Sequence, residues 1–195
     1  IDSGLYSLDQ MIDIEKNDLH PGSGLITERF DWPDSQKPGI ALSVRSLLEL
    51  MMLISDNSAA DICLRLAGGP HAVNYCMKRL NIEGLRLDRP TSYMIAEWLG
   101  MKMDKNKQWS YSLFDSLAKN VKPENEIHDT RKFDSDPQDT STPEAMSNLL
   151  LKLLKEPILK PESKALLLDI MKRCETGLTR IKGLLPTGTE VMHKT

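Results

Sequence analysis

Two short polar runs hold groups with which a protein moves protons and holds anions. Ser55-Asp56-Asn57 falls between two helical patterns, and Lys194-Thr195 stands at the end of an alternating, strand-like run. A hydroxyl or an amide both donates and accepts hydrogen bonds, whereas an ammonium only donates. Alone, the first run reads as a turn after a helix; the second run gives it a chemical context. Other chemistries find no such grouping. His20, His71, His128 and His193 are isolated from one another, and Cys63, Cys76 and Cys174 lack paired ligand spacing, so no metal site is expected. Asp134, Asp136 and Asp139 lack the central Gly and final Glu of a calcium loop. No Gly-rich phosphate loop occurs, and no cofactor is expected.

The elements that position these runs are helical. The segment 43–54 is the clearest helix, with Ser43 as cap and Val44, Leu47, Leu48, Leu50, Met51 and Ile54 on one broad apolar side. That breadth predicts a central helix buried on several sides. A second helix follows over 58–66, stopped by Gly68-Gly69, and Pro70 opens a third that runs to about Leu80. A weaker helix is expected over 110–119. Thr142-Pro143-Glu144 starts another, followed by Met146, Leu149, Leu150, Leu153 and Leu154, and Pro161 starts the last, closed by Gly177. The segment 20–38 reads as loop, whose Phe30 and Trp32 either pack onto the domain or line a cleft. Alternation over 190–195 predicts a strand. Cys63 and Cys76 fall on apolar helix faces and are expected as buried free thiols; a bridge between them is not readable from sequence.

Composition bounds the function. Apolar residues make up 40% and charged residues 27% of 195, which suits a globular chain. Lys plus Arg is 25 against Asp plus Glu 28, so no basic surplus draws the chain to nucleic acid or anionic lipid. No apolar run is long enough for a membrane span. The chain starts at Ile1 and stops inside a strand-like run, so it reads as a piece of a longer protein.

Taken in order, several pieces resemble class A β-lactamases and the wider penicillin-recognising serine hydrolases. They are Leu42-Ser43-Val44-Arg45, Ser55-Asp56-Asn57-Ser58-Ala59-Ala60, Gly68-Gly69-Pro70, Leu87-Asp88-Arg89, the block from Asp139 to Met146, and the run from Arg180 through Pro186 to Lys194-Thr195. The resemblance implies an α+β fold of the β-lactamase/transpeptidase type. This chain would be mainly its helical subdomain plus the start of a sheet strand. It would form one partial domain over 1–195, with a long insert at 90–138 in the loop bordering the active site.

The resemblance also implies roles. A nucleophilic Ser and its Lys, in a Ser-x-x-Lys motif, would precede Ile1. Ser116-Leu117-Ala118-Lys119 matches that spacing but follows Ser55-Asp56-Asn57, the wrong order. Ser55 resembles the residue that relays a proton to the leaving nitrogen, and Asn57 the one that holds the Lys and the substrate's amide. Lys194 and Thr195 resemble the pair that grips the substrate carboxylate. Arg89 and Asp139 resemble the ion pair closing the neck of the loop. The family places a Glu two residues past that Arg and an Asn four further on; here Thr91 and Ile95 stand there. Glu97 is then a candidate displaced base, with Glu124 and Glu126 as further candidates.

What the resemblance implies is a periplasmic or secreted monomer that opens β-lactams through an acyl-enzyme, with slow deacylation. A D,D-peptidase acting on D-alanyl peptides and a binding or sensing module without turnover are the alternatives.

Overall fold

The computed structural model describes residues 1–20, 24–29, 40–101, 104, 109–121 and 132–195. Phe30, Trp32, His128, Glu124 and Glu126 lie outside them. The chain divides into two compact units, one of residues 1–14, 23–60 and 150–195, the other of 15–22 and 61–149.

In the first unit, strands β1 (Met11–Ile14) and β2 (Ile40–Ser43) pair antiparallel, with Met11 opposite Ser43 and Ile14 opposite Ile40. Ser43 then turns from strand into helix α2 (Val44–Leu53), its hydroxyl accepting the Ser46 N–H at 3.1 Å as the predicted cap. The expectation of burial on several sides needs correction. Val44 and Leu47 are buried, while Leu48, Leu50, Met51 and Ile54 are half-buried; among the described residues, β2 and the later helix α8 (Pro161–Lys172) are the elements that pack most closely on α2.

The segment 20–38 is not wholly loop. It contains a short helix, α1 (Leu25–Arg29), whose Ile26 N–H is taken by the carboxylate of Asp56 at 3.0 Å. The remaining helices are α3 (Asn57–Leu66), α4 (Gly69–Arg79), α5 (Thr91–Trp98), α6 (Tyr111–Ala118), α7 (Pro143–Lys155) and α8 (Pro161–Lys172). Along α7, Leu149 and Leu153 are half-buried, while Met146, Leu150 and Leu154 are exposed at 42%, 40% and 53%. The run 190–195 is irregular backbone and not the predicted strand. A strand needs a ladder partner, and among the described residues the sheet holds β1 and β2 alone.

In the same unit, Asp2 clasps the start of α8. Its carboxylate accepts the Lys160 N–H at 2.8 Å and bonds the Ser163 hydroxyl. The Ser163 bond first, then the Lys160 bond, holds the Asp2 carboxyl below its ordinary value of 3.8. A lowered folded value means the contribution is present above the unfolded pKa and lost as pH falls through the folded one. Asp2→Ala is expected to cost about 1 kcal/mol near neutrality, the scale of a lost helix cap. The deficit should shrink below pH 3.8, and denaturant melts of both proteins at two pH values check it.

The second unit centres on Trp109. Its ring lies 5.6 Å from Phe114, 5.9 Å from Tyr93 and 5.1 Å from His20, and its indole N–H donates to the Leu19 carbonyl at 3.4 Å. Ala96 and Met101 complete this buried cluster. Helix α5 is absent from the local pattern because its cap comes from far along the chain. Asp61 accepts the Thr91 and Ser92 N–H groups at 2.7 and 3.0 Å and pairs with buried His20 at 3.2 Å. Cys63, Cys76 and Cys174 are all free; Cys76 is exposed rather than buried, and Cys174 is the buried one. Burial pushes the Cys63 thiol up to about 11. Among the described residues, no helix is long and apolar enough to cross a membrane.

Candidate active site

The first unit builds a polar site on the turn after α2. Ser55 adopts a left-handed backbone, φ 59°. For a side-chain-bearing residue that conformation costs roughly 1–2 kcal/mol, so the surroundings must hold it. Asp56 is what holds it. The fully buried Asp56 carboxylate accepts the Ala59 N–H at 2.8 Å, capping α3, and the Ile26 N–H of α1. Its own N–H donates to the Leu50 carbonyl at 3.1 Å. Gly24 lies directly over this carboxylate: a Cβ there would stand 2.7 Å from it. Ser58 Oγ and Thr27 Oγ1, 3.0 Å apart, add a second tie between α3 and α1.

Across 139 residues of sequence, Lys194 reaches this turn and its ammonium donates to Ser55 Oγ. The Ser55 hydroxyl in turn donates to the Thr195 carbonyl at 3.1 Å, which also accepts from Lys194 Nζ. Ser55 therefore accepts and donates at once. Burial lowers the Lys194 pKa, with nearby Cys174 acting in the opposite direction. Asn57 is half-buried as the first residue of α3, two positions from Ser55.

The segment behind Lys194-Thr195 went unrecognised in the sequence. The Glu175 N–H donates to the Leu53 carbonyl at 2.9 Å, tying the end of α8 to the end of α2. The Thr176 hydroxyl contacts both the Thr195 hydroxyl and, at 3.3 Å, Cys174 Sγ. His193 Nε2 lies 2.8 Å from the Thr176 carbonyl, so that nitrogen carries the proton. No spacing rule marks these residues; they meet only because 174–177 folds against 193–195.

The second unit places Arg89 and Asp139 together. Arg89, 6% exposed, donates through Nε to Asp139 at 2.6 Å and through Nη1 to Asp136 at 3.0 Å and to Glu97. Asp139 is itself left-handed, φ 54°, and its carboxylate also accepts the Asp88 and Arg89 N–H groups at 2.6 and 3.0 Å. Burial opposes the charge on Arg89; hydrogen bonds to Asp139 and Glu97 more than offset it, so its pKa rises. The neck is zipped further by Arg86 N–H to the Thr140 carbonyl and Thr142 N–H to the Gly84 carbonyl, at 3.0 and 2.8 Å. Glu97 is thus a partner of Arg89, and Asp136 joined the cluster without a sequence signal.

A family model described as the Beta-lactamase enzyme family matches residues 1–195, and the chain belongs to that family. It is 28% identical over 196 residues to a β-lactamase of Bacteroides uniformis, covering 100% of this chain and 53% of that protein. It is also 28% identical over 198 residues to β-lactamase VEB-1 of Pseudomonas aeruginosa, covering 100% and 52%. A crystal structure of a β-lactamase from Chitinophaga pinensis superposes with a TM-score of 0.73 at 26% identity, over 99% of this chain and 57% of that one. The chain spans about half the length of the curated relatives it matches. The helical composition and short two-stranded sheet accord with the helical subdomain of that fold.

Proposed function

We propose that this chain supplies the proton relay and the carboxylate grip of a serine acyl-hydrolase that opens β-lactam rings. The observation that carries the reading is Ser55 Oγ lying between the Lys194 ammonium and the Thr195 carbonyl. A hydroxyl that accepts from a cation while donating elsewhere is poised to pass a proton to a leaving nitrogen. Lys194 and the Thr195 hydroxyl suit the carboxylate that β-lactams carry. Asn57, on the same turn, holds the substrate's amide. In this reading the nucleophilic serine and its lysine come from the rest of the protein, which acts in the periplasm or outside the cell.

Deacylation is the slow step. Thr91 carries no carboxylate, Ile95 carries no amide, and the Glu97 carboxylate is held by Arg89. The same observation favours a second reading, a D,D-peptidase for which β-lactams act as inhibitors. Full-length protein mixed with a chromogenic cephalosporin in a stopped-flow instrument tests the proposal. A burst of ring opening followed by a slow steady rate is expected; a trace with no ring opening refutes it.

A further inference from the structure

We infer that Thr176 is a positioning residue that aims the Thr195 hydroxyl at a bound carboxylate, an inference resting on the acyl-hydrolase reading above. An ionised carboxylate only accepts hydrogen bonds, so Thr195 must spend its single hydroxyl proton on it. The Thr195 oxygen is then left as an acceptor, and the group against it is the Thr176 hydroxyl. Thr176 must donate to Thr195; the buried Cys174 thiol, 3.3 Å from the Thr176 hydroxyl, donates to the Leu53 carbonyl at 3.9 Å. The Thr176 proton is therefore directed to Thr195, and the Thr195 proton is delivered to the ligand.

Two further features hold this chain in place. The His193 Nε2–H donates to the Thr176 carbonyl at 2.8 Å, and the His193 N–H donates to the Met171 carbonyl at 3.2 Å. The residue just before Lys194-Thr195 thus fixes both the backbone of Thr176 and the end of α8. Gly177, at φ +64°, leaves room that the Thr195 methyl occupies; a Cβ there would overlap it. The segment 174–177 is shaped around Thr195 as a support for its side chain.

The test uses full-length protein and three forms: wild type, Thr176→Val and Thr176→Ser. Valine keeps the shape and removes the donor; serine keeps the donor. Single-turnover acylation by a penicillin is measured across concentrations, with thermal melts as a check on folding. Thr176→Val is expected to weaken initial binding about tenfold, the scale of one oriented hydrogen bond to a charged group. Its maximal acylation rate stays within about threefold of wild type, since a grip made equally in ground and transition states changes binding rather than rate. Thr176→Ser is expected to restore binding. If wild type reacts and Thr176→Val binds like it, or Thr176→Ser fails to restore a loss, the positioning role is wrong. If wild type itself neither forms an adduct nor releases product, the acyl-hydrolase reading fails, and the positioning role with it.

Discussion

Ser55→Ala is expected to slow acylation of the full-length protein by about 10²–10⁴-fold, the range of a lost general acid–base group. Initial binding should change much less. Ser55 Oγ is the one hydroxyl that bonds both Lys194 and the Thr195 carbonyl among the described residues. Alanine leaves the Lys194 ammonium without that acceptor and leaves no group to carry a proton across. The folded turn should survive, because Asp56 fixes it through Ile26 and Ala59 rather than through Ser55. Alanine does not relieve the left-handed backbone, so the stability change is set by the lost hydrogen bonds alone. Stopped-flow acylation across drug concentrations separates rate from binding. An unchanged maximal rate would remove Ser55 from the chemistry.

The second large effect concerns the ester. In the acyl-hydrolase reading, Thr91→Glu is expected to raise the steady-state rate at least tenfold and shrink the burst, because it restores the carboxylate that the resemblance puts at this position, and such a base is worth about 10²–10⁴-fold. Glu97→Gln is expected to leave the steady-state rate within about threefold, since Glu97 already serves Arg89 and a neutral amide still accepts from a guanidinium. The opposite pattern, no gain in Thr91→Glu and turnover abolished in Glu97→Gln, would make Glu97 the deacylation base. Arg89 carries two further carboxylates, Asp136 and Asp139, so the neck should remain closed in the Glu97 variant.

How much of this was readable beforehand follows from where each helix finds its cap. Helices α2 and α6 begin with Ser43 and Ser110, whose hydroxyls accept N–H groups three residues on, and both were legible. Pro70, Pro143 and Pro161 marked the first turns of α4, α7 and α8 in the same local way. Helices α1 and α5 were missed because their first N–H groups are taken by Asp56 and Asp61, about thirty residues away in each case. A window along the sequence holds no trace of such a cap. The alternation over 190–195 was real, but alternation is only a side-chain pattern, and a strand also needs a hydrogen-bonded neighbour.

The site divides along the same line. Ser55, Asn57, Lys194 and Thr195 were legible as two short motifs in a particular order, and the structure brings Lys194 and Thr195 to Ser55. Thr176, His193 and Cys174 were not. Their contribution is a hydrogen-bond chain created when two segments fold together, and residue type alone does not announce it. Asp56 was visible only as the middle of a motif, whereas its burial and its two accepted N–H groups make it the anchor of the turn.

Intact-mass spectrometry of the full-length protein with excess penicillin tests the acyl-hydrolase proposal most directly. Samples quenched over milliseconds to minutes should show a protein species heavier by one penicillin, formed quickly and decaying slowly. Protein that stays at its own mass throughout, with the drug recovered unhydrolysed, would contradict it.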